Sequence, residues 1–198
     1  MSDRRFILAS SSPRRKALLE IIHIYPEIIP PSFPEIRKKG EDIYHFLQRV
    51  SIGKGRSILT KERKQAIVIS ADTIVVIDDL ILGKPESRED AFRILSMLSG
   101  RVHTVISGVA IHYQDRCSYG YRETEVFFDK LKDSDIHHYL DYAHYMDKAG
   151  AYGIQGLASK FIRKIDGCYF NVMGFPINLF SQMLNKIILE CETDIRID

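Results

Sequence analysis

The chain reads as an α/β protein with a mixed sheet, and three observations lead there. β-Branched runs alternate with stretches that carry helix start and stop signals, as a sheet flanked by helices requires. Two long strand-forming segments, Val102–Tyr113 and Tyr119–Phe128, follow one another across Gln114-Asp115 with no helix between them, so the sheet is not purely parallel. Hydrophobic residues are 45% and charged residues 27% of the 198 positions, enough apolar material for one domain, or for two lobes sharing a core.

Phe6–Ala9 is a short apolar strand. It ends in Ser10-Ser11-Ser12-Pro13, where a hydroxyl N-cap and a proline at the first helical position start a helix through Ile22. Ile24–Pro34 carries four prolines, which permits a short edge strand and then an irregular loop. Glu41 to about Lys64 reads as helix, weakened by Gly53 and Gly55. Ala66–Ile69 and Thr73–Ile77 are strand-forming runs on either side of Ser70-Ala71-Asp72; a turn at Asp78-Asp79 and a short strand, Leu80–Leu82, follow. Ser87 and Asp90 make a capping-box pattern for a helix over Arg88–Leu98, stopped by Gly100. Beyond the hairpin come a helix over Asp133–Tyr142, a glycine-rich loop over Ala149–Gly156, a strand over Phe161–Ile165 and a last helix over Pro176–Glu190.

Twenty-eight basic residues against 26 acidic leave +2, with no uniform field to recruit a nucleic acid or a membrane surface. Cys117, Cys168 and Cys191 form no CxxC pair, which argues against structural zinc and a disulfide framework and for a reducing compartment. Phe6–Ala9 is too short for a signal-peptide core, and no run approaches the ~18–20 apolar residues that cross a bilayer. The expectation is a cytoplasmic protein with no membrane and no stable nucleic-acid partner. His112, His137, His138 and His144 have no metal-ligand spacing, and no nucleophile elbow is present.

A few positions break local rules. Arg14, Arg15 and Lys16 crowd the first turn of a helix, where the macrodipole is already positive. Behind a run of serines, that turn offers free amides to an anion, although the Walker pattern is absent. Asp72 interrupts two apolar strand runs, an expensive place for a carboxylate unless it is paired, metal-bound or at a turn. Read alone, Glu35 suits a solvated loop, and Lys54 and Lys84 suit a solubilising surface as well as a site. Gln155 lies among three glycines, Gly150, Gly153 and Gly156, whose backbone either approaches a ligand closely or is simply flexible. Together these residues surround one or two carboxylates with cations, as a metal-assisted reaction on a polyphosphate requires.

The same segments resemble the Maf family of nucleoside triphosphate pyrophosphatases, also described as septum-formation-inhibitor-like proteins. Leu8-Ala9-Ser10-Ser11-Ser12-Pro13-Arg14-Arg15 is similar to the family's opening motif, and Ser70-Ala71-Asp72-Thr73-Ile74-Val75 with Leu82-Gly83-Lys84-Pro85 to its central one. Leu98–His103, Asp147–Gly156 and Asn171–Pro176 are similar to further blocks, in order, so the likeness runs over nearly the whole chain. Ser70 stands where the family usually has Gly, and His144-Tyr145 where Glu-Pro is common.

The resemblance implies a single domain over residues 1–198: an elongated mixed sheet flanked by helices, in two lobes around a nucleotide-binding cleft, related to the inosine triphosphate pyrophosphatases. It implies hydrolysis of a nucleoside triphosphate to the monophosphate and pyrophosphate with a divalent cation, Mg2+ or Mn2+. Asp72 matches the family's catalytic carboxylate, and Glu35 a second one assisting with metal or water. Ser10, Arg14, Arg15, Lys54 and Lys84 match substrate-binding groups. Arg14, Thr73 and Gln155 match the specificity positions of the branch that acts on dTTP and UTP rather than 7-methyl-GTP. House-cleaning of the nucleotide pool, a role in division arrest with or without catalysis, and a homodimer are further implications of the family alone.

Overall fold

The computed structural model describes residues 4–194. Strand β1 (Phe6–Ala9) leads into helix α1 (Pro13–Ile21), and the two-residue strand β2 (Glu27–Ile28) precedes helix α2 (Ile43–Arg56). Strands β3 (Ile67–Ile77) and β4 (Leu80–Leu82), helix α3 (Arg88–Leu98) and the long strands β5 (Val102–Tyr113) and β6 (Arg116–Phe128) follow. Helix α4 (Asp133–Tyr142), strand β7 (Ile162–Gly167), the one-turn helix α5 (Tyr169–Val172) and helix α6 (Ile177–Asp194) complete the order.

Among the described residues, seven strands form one sheet in the order β2-β1-β3-β5-β6-β7, with β4 paired to β3 off that path. β2, β1 and β3 are parallel, whereas β3–β4 and β6–β7 are antiparallel. The mixed α/β architecture is therefore the one expected. By compactness the chain divides into two units, Met1–Asp72 with Ser107–Arg122 and Gly174–Asp198, and Thr73–Ile106 with Glu123–Met173.

In the first unit, parallel pairing runs from Phe6↔Ile67 to Ala9↔Ser70. β1 ends there and β3 continues, so Asp72 lies beyond the carboxyl end of β1, where α/β sheets present ligand sites. Ile7, Ala9, Ile58, Ala66 and Val68 pack together, with Ile29 and Leu59 against them. In the second unit, Val75, Ile77, Leu82, Val105, Val126 and Phe128 of the strands meet Ile94, Leu95 and Leu98 of α3 and Ile136 and Tyr139 of α4. Asn171, fully buried, donates from Nδ2 to the Val105 carbonyl and the Thr124 hydroxyl, each at 2.9 Å, so that late motif residue is a structural brace.

Four details differ from the sequence reading. Helix α2 is shorter than Glu41–Lys64: Asp42 caps its start by accepting from the Tyr44 and His45 amides at 2.8 and 3.1 Å, and it stops at Arg56. Ile58 then turns into the apolar cluster under β1, and burying it outweighs prolonging a helix through Ser57 and Thr60. β3 is one unbroken strand of 11 residues, so Asp72 stands in mid-strand rather than at a turn between two runs. The last helix runs on to Asp194, and the short α5 had no signal in the sequence pattern.

Candidate active site

The loop after β1 is organised by its own serines. Ser12 caps α1 by accepting from the Arg15 amide at 3.5 Å, with Pro13 in the first turn as expected. Ser10, buried, accepts from the Ser12 amide at 3.2 Å and from Arg15 Nη1 at 3.3 Å. Arg15 Nε donates to the Gly174 carbonyl at 3.0 Å, so two bonds fix its guanidinium. Burial lowers the Arg15 pKa below the ordinary arginine value, the nearby Asp72 and Glu35 carboxylates oppose that, and Arg14 adds to it. Those influences place Arg14, Arg15, Asp72 and Glu35 in one electrostatic neighbourhood. Lys16, the third cation of the turn, instead pairs with Glu20 at 3.5 Å on the exposed face of the helix.

Lys54 is the centre of this neighbourhood. Its Nζ lies 2.6 Å from Asp72 Oδ1 and 2.7 Å from Glu35 Oε1. The Lys54 and Asp72 side chains are only 6% and 9% exposed, whereas Glu35 is 46% exposed and enters from the loop. A buried carboxylate in the middle of a strand is thus accounted for by an equally buried ammonium. Lys54 is not a surface lysine, and Glu35 is not merely solvated.

The glycines that weaken α2 make this possible. A Cβ on Gly53 would come within 2.3 Å of the Phe33 ring, so the far edge of that ring abuts the helix and anchors the Phe33-Pro34-Glu35 segment beside Lys54. A Cβ on Gly55 would come within 2.5 Å of the His112 ring and 2.8 Å of Ser70 Oγ. Ser70 Oγ donates to the Ser51 carbonyl at 2.7 Å, tying β3 to α2 two residues before Asp72. A glycine inside a helical pattern signals such close approach, and Phe33 and Ser70 could have been sought from it.

Two buried hydroxyls, one of them on a tyrosine that feels the charge of Asp72, were invisible in the sequence. Ser51 Oγ and Tyr119 Oη are buried with no hydrogen-bond partner among the described residues, and a Cβ on Gly108 would meet them at 2.7 and 3.0 Å. Burial raises the Tyr119 phenol well above its ordinary value, with Tyr121 and Asp72 adding to that, so it stays neutral.

The second unit holds the remaining residues singled out in the sequence. Lys84 is exposed just past β4, where the Gly83 carbonyl accepts from the Gly150 amide at 3.0 Å and ties this exit to the glycine-rich loop. Gly150 has φ 69°, and a Cβ there would press on Val75 at 3.1 Å. Gln155 is exposed in that loop, and Thr73 follows Asp72 on β3.

Two carboxylates converging on one ammonium offer the hard oxygen ligands that a divalent cation of the Mg2+ type takes. Among the described residues no cluster of three or more His, Cys, Asp or Glu exists, so such an ion would draw its other ligands from water and substrate oxygens. The donor set fits a metal of that kind and not a structural zinc.

Fold and residues together define an α/β protein that gathers arginine, lysine and paired carboxylates at the carboxyl end of a parallel strand pair. The family model described as Maf-like protein matches residues 5–187, and the chain belongs to that family. It is 43% identical over 187 residues to the dTTP/UTP pyrophosphatase of Clostridium botulinum (strain Eklund 17B / Type B), covering 93% of this chain and 100% of that one. It is 40% identical over 195 residues to the dTTP/UTP pyrophosphatase of Thermoanaerobacter sp. (strain X514), covering 98% and 99%. Among solved structures, the Staphylococcus aureus Ham1 protein matches with a TM-score of 0.51 at 13% identity, over 92% of this chain and 99% of that one, which is a likeness of fold. No helix among the described residues is long and apolar enough to cross a membrane.

Proposed function

We propose that this protein hydrolyses dTTP and UTP to the monophosphate and pyrophosphate, with Asp72 as the catalytic carboxylate. The observation that carries the reading is the Glu35–Lys54–Asp72 arrangement beside a fixed Arg15. The identities of about 40% to dTTP/UTP pyrophosphatases over nearly full length support the choice of reaction and substrate.

In this reading Arg14, Arg15 and the free amides at the start of α1 hold the phosphate chain, and Ser10 keeps Arg15 in place. Lys54 and Lys84 add positive charge against the triphosphate. Asp72 accepts a proton from the attacking water, whose oxygen bonds to the α-phosphorus as the α–β phosphoanhydride bond breaks and pyrophosphate leaves. Phosphoryl transfer of this kind depends mainly on positioning and charge stabilisation, which a pre-paired cage supplies. When bound, Mg2+ or Mn2+ held by Asp72 and Glu35 neutralises charge on the substrate. Arg14, Thr73 and Gln155 select the pyrimidine, the glutamine amide being able to donate and accept against its edge.

Product analysis with magnesium or manganese and parallel dTTP, UTP, CTP, GTP and 7-methyl-GTP tests this. Monophosphate and pyrophosphate, fastest from dTTP or UTP and abolished by chelation, are expected. Asp72→Asn lowers turnover by about a hundredfold or more. Turnover of 7-methyl-GTP alone would overturn the specificity assignment, and an Asp72→Asn enzyme of near-normal rate would overturn the catalytic one.

A further inference from the structure

Away from Asp72, the first unit contains a second concave site of about 370 Å3. One wall is the end of α2 and the segment after it, the other the tip of the β5–β6 hairpin. The Gln114 amide donates to the Lys64 carbonyl at 2.9 Å, and Lys64 Nζ meets Asp115 Oδ1 at 2.6 Å, so the two walls are clipped together. The pocket is preformed, as small-molecule sites usually are.

Its charge is lopsided. Arg56, Lys61, Lys64 and Arg116 line it against one carboxylate, Asp115, while the whole chain carries only +2. Lys64 is offset by Asp115, and Arg116 Nη1 lies 3.6 Å from Glu190. Arg56 and Lys61 form no ion pair with a carboxylate among the described residues. Two uncompensated cations in a concavity focus a positive potential and favour an anion.

His112 is buried against this pocket. Its Nε2–H donates to the Ile52 carbonyl at 3.3 Å and lies 3.9 Å from Cys117 Sγ. Burial lowers the His112 pKa; the bond to the Ile52 carbonyl opposes that and Arg56 adds to it, which favours the neutral ring. An arginine fork suits phosphate oxygens bidentately, and the volume exceeds what a bare phosphate fills and falls in the lower range for organic ligands.

We propose that this pocket binds a small phosphorylated molecule, with Arg56 and Lys61 holding the phosphate and His112 and Leu59 facing the organic part. The argument is independent of the reaction assigned to Asp72. The two sites are nonetheless neighbours, since Arg56 is two residues beyond Lys54 on the last turn of α2.

Cys117 reports on occupancy, because it lines the pocket and is exposed, whereas Cys168 is half-buried and Cys191 buried. The full-length protein is alkylated with iodoacetamide, and the rate at Cys117 is read by peptide mass spectrometry with and without inorganic phosphate, pyrophosphate or thymidine monophosphate. At ten times its Kd, a bound probe slows Cys117 about tenfold and leaves Cys168 unchanged. Protection by pyrophosphate or phosphate shows that the anion suffices, and protection by the monophosphate alone shows that the organic part is needed; both support the site. The Arg56→Ala/Lys61→Ala variant, altered at two exposed residues, loses protection and retains nucleotide hydrolysis, while Asp72→Asn retains protection. No protection by any of the three probes, or equal protection in the double variant, overturns the proposal. Hydrolysis, measured separately, stands or falls on its own.

Discussion

Lys54 concentrates the chemistry of single residues in this protein. Its ammonium is nearly sealed from solvent, and only contact with Asp72 and Glu35 makes that tolerable. Replacing it by Met keeps the length of the side chain but leaves Asp72 buried beside nothing positive on α2. Removing one partner of a buried pair typically costs about 3–5 kcal/mol, so Lys54→Met is expected to lower the urea midpoint markedly as well as activity. An unchanged midpoint would mean that the pair is not buried in solution. Part of this was legible beforehand: cations crowding the start of a helix called for an anion, and a carboxylate between apolar runs called for a partner. What the sequence could not show is which partner, because Lys54 and Asp72 meet through strand register and helix packing, not through spacing.

At the scale of elements, local signals were faithful, and extents were right where a cap and a stop were both present, as for α3, but not for α2. Ser12 with Pro13 starts α1, and Ser87 accepts from the Asp90 amide at 3.1 Å to start α3. The expected reciprocal half of that second cap is replaced, since the Asp90 carboxylate accepts from the Glu86 amide at 3.2 Å and pairs with Arg93. α2 was read too long because propensity does not register the demand of the β1 cluster for Ile58. Its glycines looked like defects and are instead the seats of two aromatic rings. Gly53→Ala should therefore reverse the usual effect. Alanine in a helix interior normally gains about 1 kcal/mol over glycine, yet here it must displace the Phe33 ring and with it Glu35. The expected result is a loss of stability with a fall in kcat/KM, measured by thermal unfolding and steady-state kinetics. A more stable, fully active Gly53→Ala enzyme would show that Phe33 does not position Glu35.

For the whole molecule, stability should follow pH through His103. This ring is 2% exposed, packs edge-on against Phe128 and Tyr152, and its Nε2 lies 2.7 Å from the Tyr152 hydroxyl. Burial holds its pKa down to about 4, against an ordinary value of 6.5. The unfolded chain takes up this proton below 6.5 and the folded one does not until about 4. Stability is thus intact above pH 6.5 and declines as pH falls toward 4, by about 3 kcal/mol if the full shift is realised. Urea midpoints across that range should fall for the native protein and flatten for His103→Asn; parallel profiles would clear His103 of the effect. The sequence marked His103 only as part of a motif, since burial is a property of the assembled second unit. The first unit has its own long-range dependence. Arg15 is held by the carbonyl of Gly174, 159 positions later. A nascent chain therefore carries Arg15 without this clamp until Gly174 has been made and has folded onto it. Until that glycine is in place, the growing polypeptide displays the Arg15 side chain without its carbonyl partner. Fixing of this guanidinium is thus a late event in synthesis, set by the arrival of Gly174 and not by the helix that carries Arg15.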